Sequence, residues 1–174
     1  MKKLLLLCMM VLTGCSMPRW SSNGTINFSP DSKSIRNDSS LYVSLPEDGQ
    51  YGRKAYPASG QAVQTELVSQ LSSVFNKVNF AFKTKSLEDD LVDAKKKKAN
   101  FLVVPTITHW EDRNTAWSYN TDKIGLFIEI IDTTNENSVN SARLSAEGPN
   151  RAFVNQHPES LLPRILEDYV NLLQ

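Results

Sequence analysis

Residues 59–107 read SGQAVQTELVSQLSSVFNKVNFAFKTKSLEDDLVDAKKKKANFLVVPTI, and apolar side chains recur in them at two alternating spacings. Helical spacing, three or four residues apart, predicts one helix that begins near Ser59 and a second that begins after the capping residue Ser86. Spacing at every second residue predicts strands at 78–82 and 101–107. Because strands and helices alternate, we expect the helices to cross between parallel strands of one sheet.

The same kind of pattern continues on both sides of this stretch. An alternating segment at 41–45 predicts a strand before the first helix, and segments at 124–130 and 139–146 predict an antiparallel hairpin after the second. A last helix is predicted at 161–173. The predicted fold class is therefore α/β (α+β), a single mixed sheet in the order β-α-β-α-β-β-β-α with the helices packed on it. Pro105 cannot donate to a strand ladder, so it predicts an edge or a bulge at its position.

The amino terminus has the pattern of a leader. Two lysines precede nine apolar residues at positions 4–12, a stretch too short for a bilayer span and typical of a secretory signal. The segment Leu12-Thr13-Gly14-Cys15 resembles a bacterial lipobox. That resemblance implies cleavage before Cys15, a diacylglycerol on its sulfur and acylation of the new amino group. Ser16 follows, and the enterobacterial sorting rule then implies an outer-membrane lipoprotein that faces the periplasm.

Composition excludes several classes of function. The 174 residues include 19 basic and 19 acidic ones, which argues against a nucleic-acid-binding domain because such domains need a basic face. Removal of the leader takes away Lys2, Lys3 and Cys8, so the mature chain is slightly acidic. Its one remaining Cys carries the lipid. Disulfides, thiol nucleophiles and thiolate metal sites are thereby excluded, and no cofactor is expected.

Residues 16–40 are rich in Ser, Asn and Asp and show no apolar period. This composition predicts a flexible tether between the lipid and the domain. We therefore expect three parts: a signal peptide at 1–14, the lipidated Cys and tether at 15–40, and a single α/β domain at 41–174.

The most unusual segment for chemistry is HWEDRNTAWSY at 109–119, which concentrates aromatic and charged residues. Trp, Tyr and Arg are enriched in the hot spots of protein interfaces. We predict a partner-binding patch made of His109, Trp110, Glu111, Asp112, Arg113, Trp117 and Tyr119. The structural alternative is that the Trp rings cover the sheet while Arg113 pairs with Glu111 or Asp112.

A hydrolytic site is an alternative interpretation of the same segment. His109 would act as a base with Glu111 or Asp112, although two neighbouring strand residues point to opposite faces and cannot act as a pair. His157 lies 48 residues after His109, and no His-x-x-x-His motif exists, so no metal site is predicted.

The loop at 47–59 is a second candidate site, since it joins a strand to a helix where α/β sheets often bind ligands. Arg53 and Lys54 are candidates to hold an anion there, as in a small-ligand sensor. Nucleotide-binding glycine motifs are absent from the sequence. The alternative is a surface loop whose charges serve solubility.

The element order, behind a lipobox and a polar tether, resembles the TolB amino-terminal domain. It also resembles the curli-secretion lipoprotein family and the lipoprotein activators of penicillin-binding proteins. A closer resemblance is to an uncharacterised proteobacterial lipoprotein family, a domain of unknown function. Its marks are Pro46-Glu47-Asp48-Gly49 and Pro105-x-Ile107-x-His109-Trp110-Glu111-Asp112-Arg113, followed by Trp117-Ser118. These resemblances imply the fold and an envelope location but no activity. We expect a protein-binding or scaffold factor of the cell envelope rather than an enzyme.

Overall fold

The computed structural model describes residues 23–113, 121–149 and 157–174. A short 3-10 turn at Pro158–Leu161 precedes the last helix. The other elements, in chain order, are β1 (Asn23–Phe28), β2 (Ser40–Val43), β3 (Gln50–Tyr51), β4 (Lys54–Ala55), α1 (Ser59–Ser72), β5 (Lys77–Phe80), α2 (Leu87–Lys96), β6 (Phe101–Glu111), β7 (Lys123–Asp132), β8 (Ser138–Glu147) and α3 (Leu162–Leu172).

The predicted fold class is confirmed: the structure is a mixed α/β fold with a main sheet of six strands and three helices packed against it. The strands lie in the order β1-β8-β7-β6-β2-β5. Strand β2 pairs in parallel with both β5 and β6, as the two crossover helices predict, and β7 is antiparallel to β6 and β8. Strands β3 and β4 form a separate small hairpin.

The helices cover the two faces of the sheet unequally. Helices α1 and α3 share one face and pack their apolar sides, such as Leu67 and Leu166, on a large core. Helix α2 lies on the opposite face and packs Leu91 against Tyr42 and Leu102. Ser86 caps α2 as predicted, its hydroxyl accepting from a backbone N–H at 3.2 Å. In the described residues, no helix has the length and hydrophobicity needed to cross a membrane.

Along strand β6, the set of residues that point to the larger core changes partway. Up to Ile107 its odd-numbered residues contribute to the larger core, but a bulge between Ile107 and His109 brings the even-numbered Trp110 to that side. Gly125 lies opposite the bulge, and a Cβ there would stand 2.8 Å from Oγ1 of Thr108. A larger residue at position 125 would therefore crowd the bulge.

Pro105 lies at an edge, which confirms one of the two placements predicted for it. Strand β2 ends before it, and the last backbone bond from that side is donated by Ser44 N–H to the Val103 carbonyl at 3.0 Å. The missing N–H of Pro105 therefore falls where no described strand pairs with β6 on that side.

The predicted tether is wrong over part of its range. Residues Asn23–Phe28 form β1, which pairs with β8 along its whole length, and Ile35 is buried in the core. An edge strand with a polar outer side has only two apolar residues here, too few to form a recognisable pattern. The domain thus begins well before residue 41, whereas the predicted signal peptide at 1–14 lies outside the described residues.

Candidate functional site

Two segments that were predicted separately as sites meet at one corner of the sheet. The β3–β4 hairpin lies against the end of β6, and we call these segments, residues 51–56 and 109–113, the hairpin corner. The ring of Tyr51 meets the imidazole of His109 edge-on, with 5.2 Å between ring centroids. The structure thus joins residues that lie almost 60 positions apart in the chain.

A buried carboxylate organises the hairpin corner. The side chain of Glu111 is only 4% exposed, and its Oε1 accepts from Arg113 at 2.5 Å while Oε2 lies 3.2 Å from Nε2 of His109. Burial alone would raise the pKa of Glu111, but hydrogen bonds from Arg113, Tyr51 and His109 outweigh burial and lower that pKa. Glu111 therefore stays ionised and holds three partly exposed side chains in place.

The two predicted anion-binding residues occupy different environments. The Lys54 ammonium lies 3.5 Å from Oδ2 of Asp112 and 4.6 Å from the centre of the Tyr56 ring. The Tyr56 hydroxyl in turn accepts from the backbone N–H of Asp112 at 3.3 Å. Lys54 thus already faces an acid of its own chain, and Arg53 lies in the exposed turn of the hairpin. Anion binding by this pair stays a prediction.

The predicted partner-binding patch needs correction at Trp110. Its side chain is 0% exposed because the β6 bulge directs it into the core, so this ring offers no contact surface. The structural alternative is therefore the right one for this Trp. His109, Arg113 and Tyr51 keep partly exposed surfaces at the corner. Trp117 and Tyr119 lie outside the described residues.

The predicted hydrolytic group is only partly assembled. Glu111 orients His109, but Asp112 turns instead toward Lys54. In the part of the chain that the structure describes, no hydroxyl or thiol is hydrogen-bonded to His109. Nor do the described residues contain a group of three or more His, Cys, Asp or Glu placed to hold a metal ion.

An exposed aromatic pair at the edge of the sheet was not foreseen. Phe80 ends β5 at 41% exposure and Phe82 follows at 90%, with 5.2 Å between their ring centroids. The alternating pattern at 78–82 predicts a strand, and the structure has one that ends at Phe80, before Phe82. The pattern reports which residues share a face, however, and contains no signal for whether another element covers that face.

Comparison with known proteins identifies a family and a shared fold. A search of curated proteins finds no match to this sequence. The sequence model of a family described as "Domain of unknown function (DUF4823)" matches residues 33–173. Among solved structures, the fold is similar to PelC from Paraburkholderia phytofirmans, crystallised as a dodecamer, with a TM-score of 0.68 and 17% identity over 87% of this chain and 98% of that one.

Two further structures share the fold at lower similarity. Protein XCC0632 from Xanthomonas campestris has a TM-score of 0.53 and 11% identity over 83% of this chain and 86% of that one. Lipoprotein GNA1162 from Neisseria meningitidis has a TM-score of 0.51 and 13% identity over 78% of this chain and 97% of that one. Identities this low establish a common fold and nothing finer.

Proposed function

The chain belongs to the family of domains of unknown function DUF4823. From that premise we propose that it is a lipid-anchored scaffold or accessory factor of the bacterial cell envelope. It acts by contact with another protein. The family description carries no activity. The proposal therefore depends on the surface of the domain and on the leader.

The observation that carries the proposal is the aromatic pair at the β5 edge. Strand β5 pairs with β2 on one side, and among the described residues no strand pairs with its other side. An open strand edge offers unpaired backbone groups to another chain, and exposed aromatic rings lose unfavourable contact with water when a partner covers them. Phe80 and Phe82 place both features at the same edge.

We take a second copy of this chain as the partner. Strand β1 forms the opposite edge of the same sheet, and no described strand pairs with its outer side, so the described part of one copy offers two different edges. Head-to-tail contacts between unlike surfaces close into rings when the rotation per subunit allows it. PelC has a similar fold and forms a dodecamer, which supports the proposal that this chain also assembles with copies of itself.

The leader and the place where the sheet begins support anchoring. Strand β1 starts eight residues after Cys15, a distance of at most about 28 Å when fully extended. A lipid on Cys15 would thus hold the edge formed by β1 close to the membrane. The fold shared with Lipoprotein GNA1162 supports the same interpretation, and Ser16 favours the outer membrane, with the domain in the periplasm.

The association state of the purified protein tests this function. We expect light scattering to show an oligomer whose mass falls to that of a monomer in Phe82→Ser. Leu172→Ser is the matched control, because Leu172 is also an exposed apolar residue, at 60%, but lies at the end of α3. A protein that stays monomeric at every concentration, or an oligomer that Phe82→Ser leaves intact, would contradict the proposal.

A further inference from the structure

A cleft of about 590 Å³ opens beside α2. It borders the hairpin corner at Gln50 and Thr108, but its lining includes no residue of that corner and neither ring of the aromatic pair. It exists because β2 ends at Val43 while β6 continues to Glu111, so that beyond β2 no described strand pairs with this side of β6. The loop after β2 forms one wall and the first turn of α2 forms the other. The cleft thus lies at the carboxyl ends of the parallel strands, where α/β sheets commonly bind ligands.

Asp90 is the unusual residue of this cleft. It lies on the buried side of α2 with Leu91 and Ala94, at a position where the helical pattern calls for an apolar residue. The residue is only 4% exposed, and its carboxylate receives no hydrogen bond from the described residues, with Oδ1 completely buried. A buried carboxylate without a partner is costly, and in native proteins such a group calls for an explanation.

The acids next to Asp90 on the same helix are in ordinary environments. Asp93 accepts from Lys85 and lies 3.4 Å from the Lys96 ammonium, and Asp89 is exposed. Lys85, the one base that lines the cleft, is therefore already paired with Asp93. Among the described residues, none forms an ion pair or a hydrogen bond with the Asp90 carboxylate, although the nearby charge of Lys85 acts to lower its pKa.

The rest of the lining indicates the chemistry of a ligand. Two further acids, Glu47 and Asp48, lie on the loop wall, and Asp48 also caps α1 through the backbone N–H of Gly60 at 2.9 Å. Threonine hydroxyls and aliphatic side chains, among them Leu45 and Val104, complete the lining. An acidic cleft with apolar walls suits a cation carried on an aliphatic stem.

We propose that this cleft binds an ammonium or guanidinium group on an aliphatic stem, with the Asp90 carboxylate as its counter-ion. The charged head donates to Asp90, while the methylene groups pack on the aliphatic lining next to Pro105. A lysine or arginine side chain of another protein and a free small amine share this chemistry. The site does not include the aromatic pair. Its test is therefore independent of the assembly proposed above.

Binding must depend on pH, because only the ionised carboxylate attracts the cation. Burial raises the pKa of Asp90 to about 6, and the charges that also act on it are those of Lys85, Asp93 and Asp89. Tyr42 approaches from β2, and Glu47 and Asp48 line the loop wall. Protonation of Asp90 competes with the ligand, so affinity falls as the pH drops below about 6.

The test is a titration of the purified protein with butylguanidinium, followed by NMR at α2 and β6. We expect saturable shifts at neutral pH with a dissociation constant of about a millimolar, as suits so small a probe. Affinity should weaken about tenfold at about pH 5. Asp90→Asn should weaken binding at least about tenfold at neutral pH and remove the pH dependence. Asp89→Asn, the matched control on the exposed side of α2, should do neither.

A second arm distinguishes the two sources of the cation. An acetylated, amidated tripeptide with a central arginine should bind more tightly than butylguanidinium if the site takes a protein segment, and no more tightly if it takes a free amine. Either result supports the site. Absence of saturable shifts with both probes, or equal binding by Asp90→Asn, would overturn the proposal.

Discussion

The carboxylate of Glu111 and the guanidinium of Arg113 meet at 2.5 Å, two positions apart at the end of β6. Glu111 is the last strand residue and is buried, whereas Arg113 lies beyond the strand and is partly exposed. His109 also contacts Glu111, so the buried carboxylate holds the partly exposed side chains of Arg113 and His109 in place at the hairpin corner.

The first prediction concerns this ion pair. Arg113→Ala should lower the free energy of unfolding at neutral pH, and by more than its control does, because it leaves a buried carboxylate short of a charged donor. Arg164→Ala is the control, because Arg164 and Asp168 are half-exposed and 3.9 Å apart. This substitution should lower the free energy of unfolding by less than about 0.5 kcal/mol. Urea unfolding measures both.

The same pair makes that loss depend on pH. The folded-state pKa of Glu111 lies below its ordinary value of 4.5, so its contribution is present above that pH and disappears as the pH falls through the lowered folded-state value. The difference between wild type and Arg113→Ala should therefore shrink in acid. If the difference in unfolding free energy stays constant at a pH well below 4.5, Glu111 is not the residue through which Arg113 stabilises the fold.

The second prediction concerns Asp90 and has the opposite sign. Its folded-state pKa, about 6, lies above its ordinary value of 3.8, so the buried charge destabilises the fold at neutral pH, and protonation relieves this as the pH falls below about 6. Asp90→Asn should raise the free energy of unfolding by up to about 3 kcal/mol at neutral pH. The gain should vanish near pH 3.8, and thermal melts across this range measure it.

The third prediction concerns the β6 bulge. Gly125→Ala should lower the free energy of unfolding by about 1–3 kcal/mol, because its Cβ would stand 2.8 Å from Thr108 Oγ1 and 3.1 Å from His109 Cβ. Thr108→Ala removes the nearer of these atoms, so the double variant should recover part of the loss. Chemical denaturation of the two single variants and the double variant provides the test, and a double variant no more stable than Gly125→Ala would contradict the crowding argument.

The fourth prediction concerns the anchor. Cys15→Ala should prevent lipid attachment, and the protein should leave the membrane fraction or accumulate unprocessed. Ser16→Asp should keep the lipid and move the protein from the outer to the inner membrane. This follows from the enterobacterial sorting rule, in which Asp after the lipidated Cys retains a lipoprotein in the inner membrane. Fractionation of cells with separation of the two membranes measures both outcomes. Membrane association unchanged in Cys15→Ala would refute the anchor.

Much of the fold could be predicted from local pattern. The helices at Ser59–Ser72 and Leu87–Lys96, the cap at Ser86 and the hairpin of β7 and β8 all follow from spacing along the chain. Strand β1 could not be predicted in this way, because its pairing with β8 involves residues about 120 positions away. An edge strand with a polar outer side has little local signal of its own.

Less of the candidate sites could be predicted, and the reason is physical. The chain by itself predicted the leader, which stays a prediction, the order of the three helices and of the strands β2, β5, β6, β7 and β8, and the two segments that carry unusual charged and aromatic residues. These properties reside in residues adjacent in sequence. Only the tertiary structure decided that a bulge turns Trp110 inward and that Tyr51 meets His109. It also decided that no described element covers Phe82 and that Asp90 borders a cleft with no hydrogen-bond or ion-pair partner among the described residues. Burial and pairing depend on which distant segments pack together, and a local period carries no record of that packing.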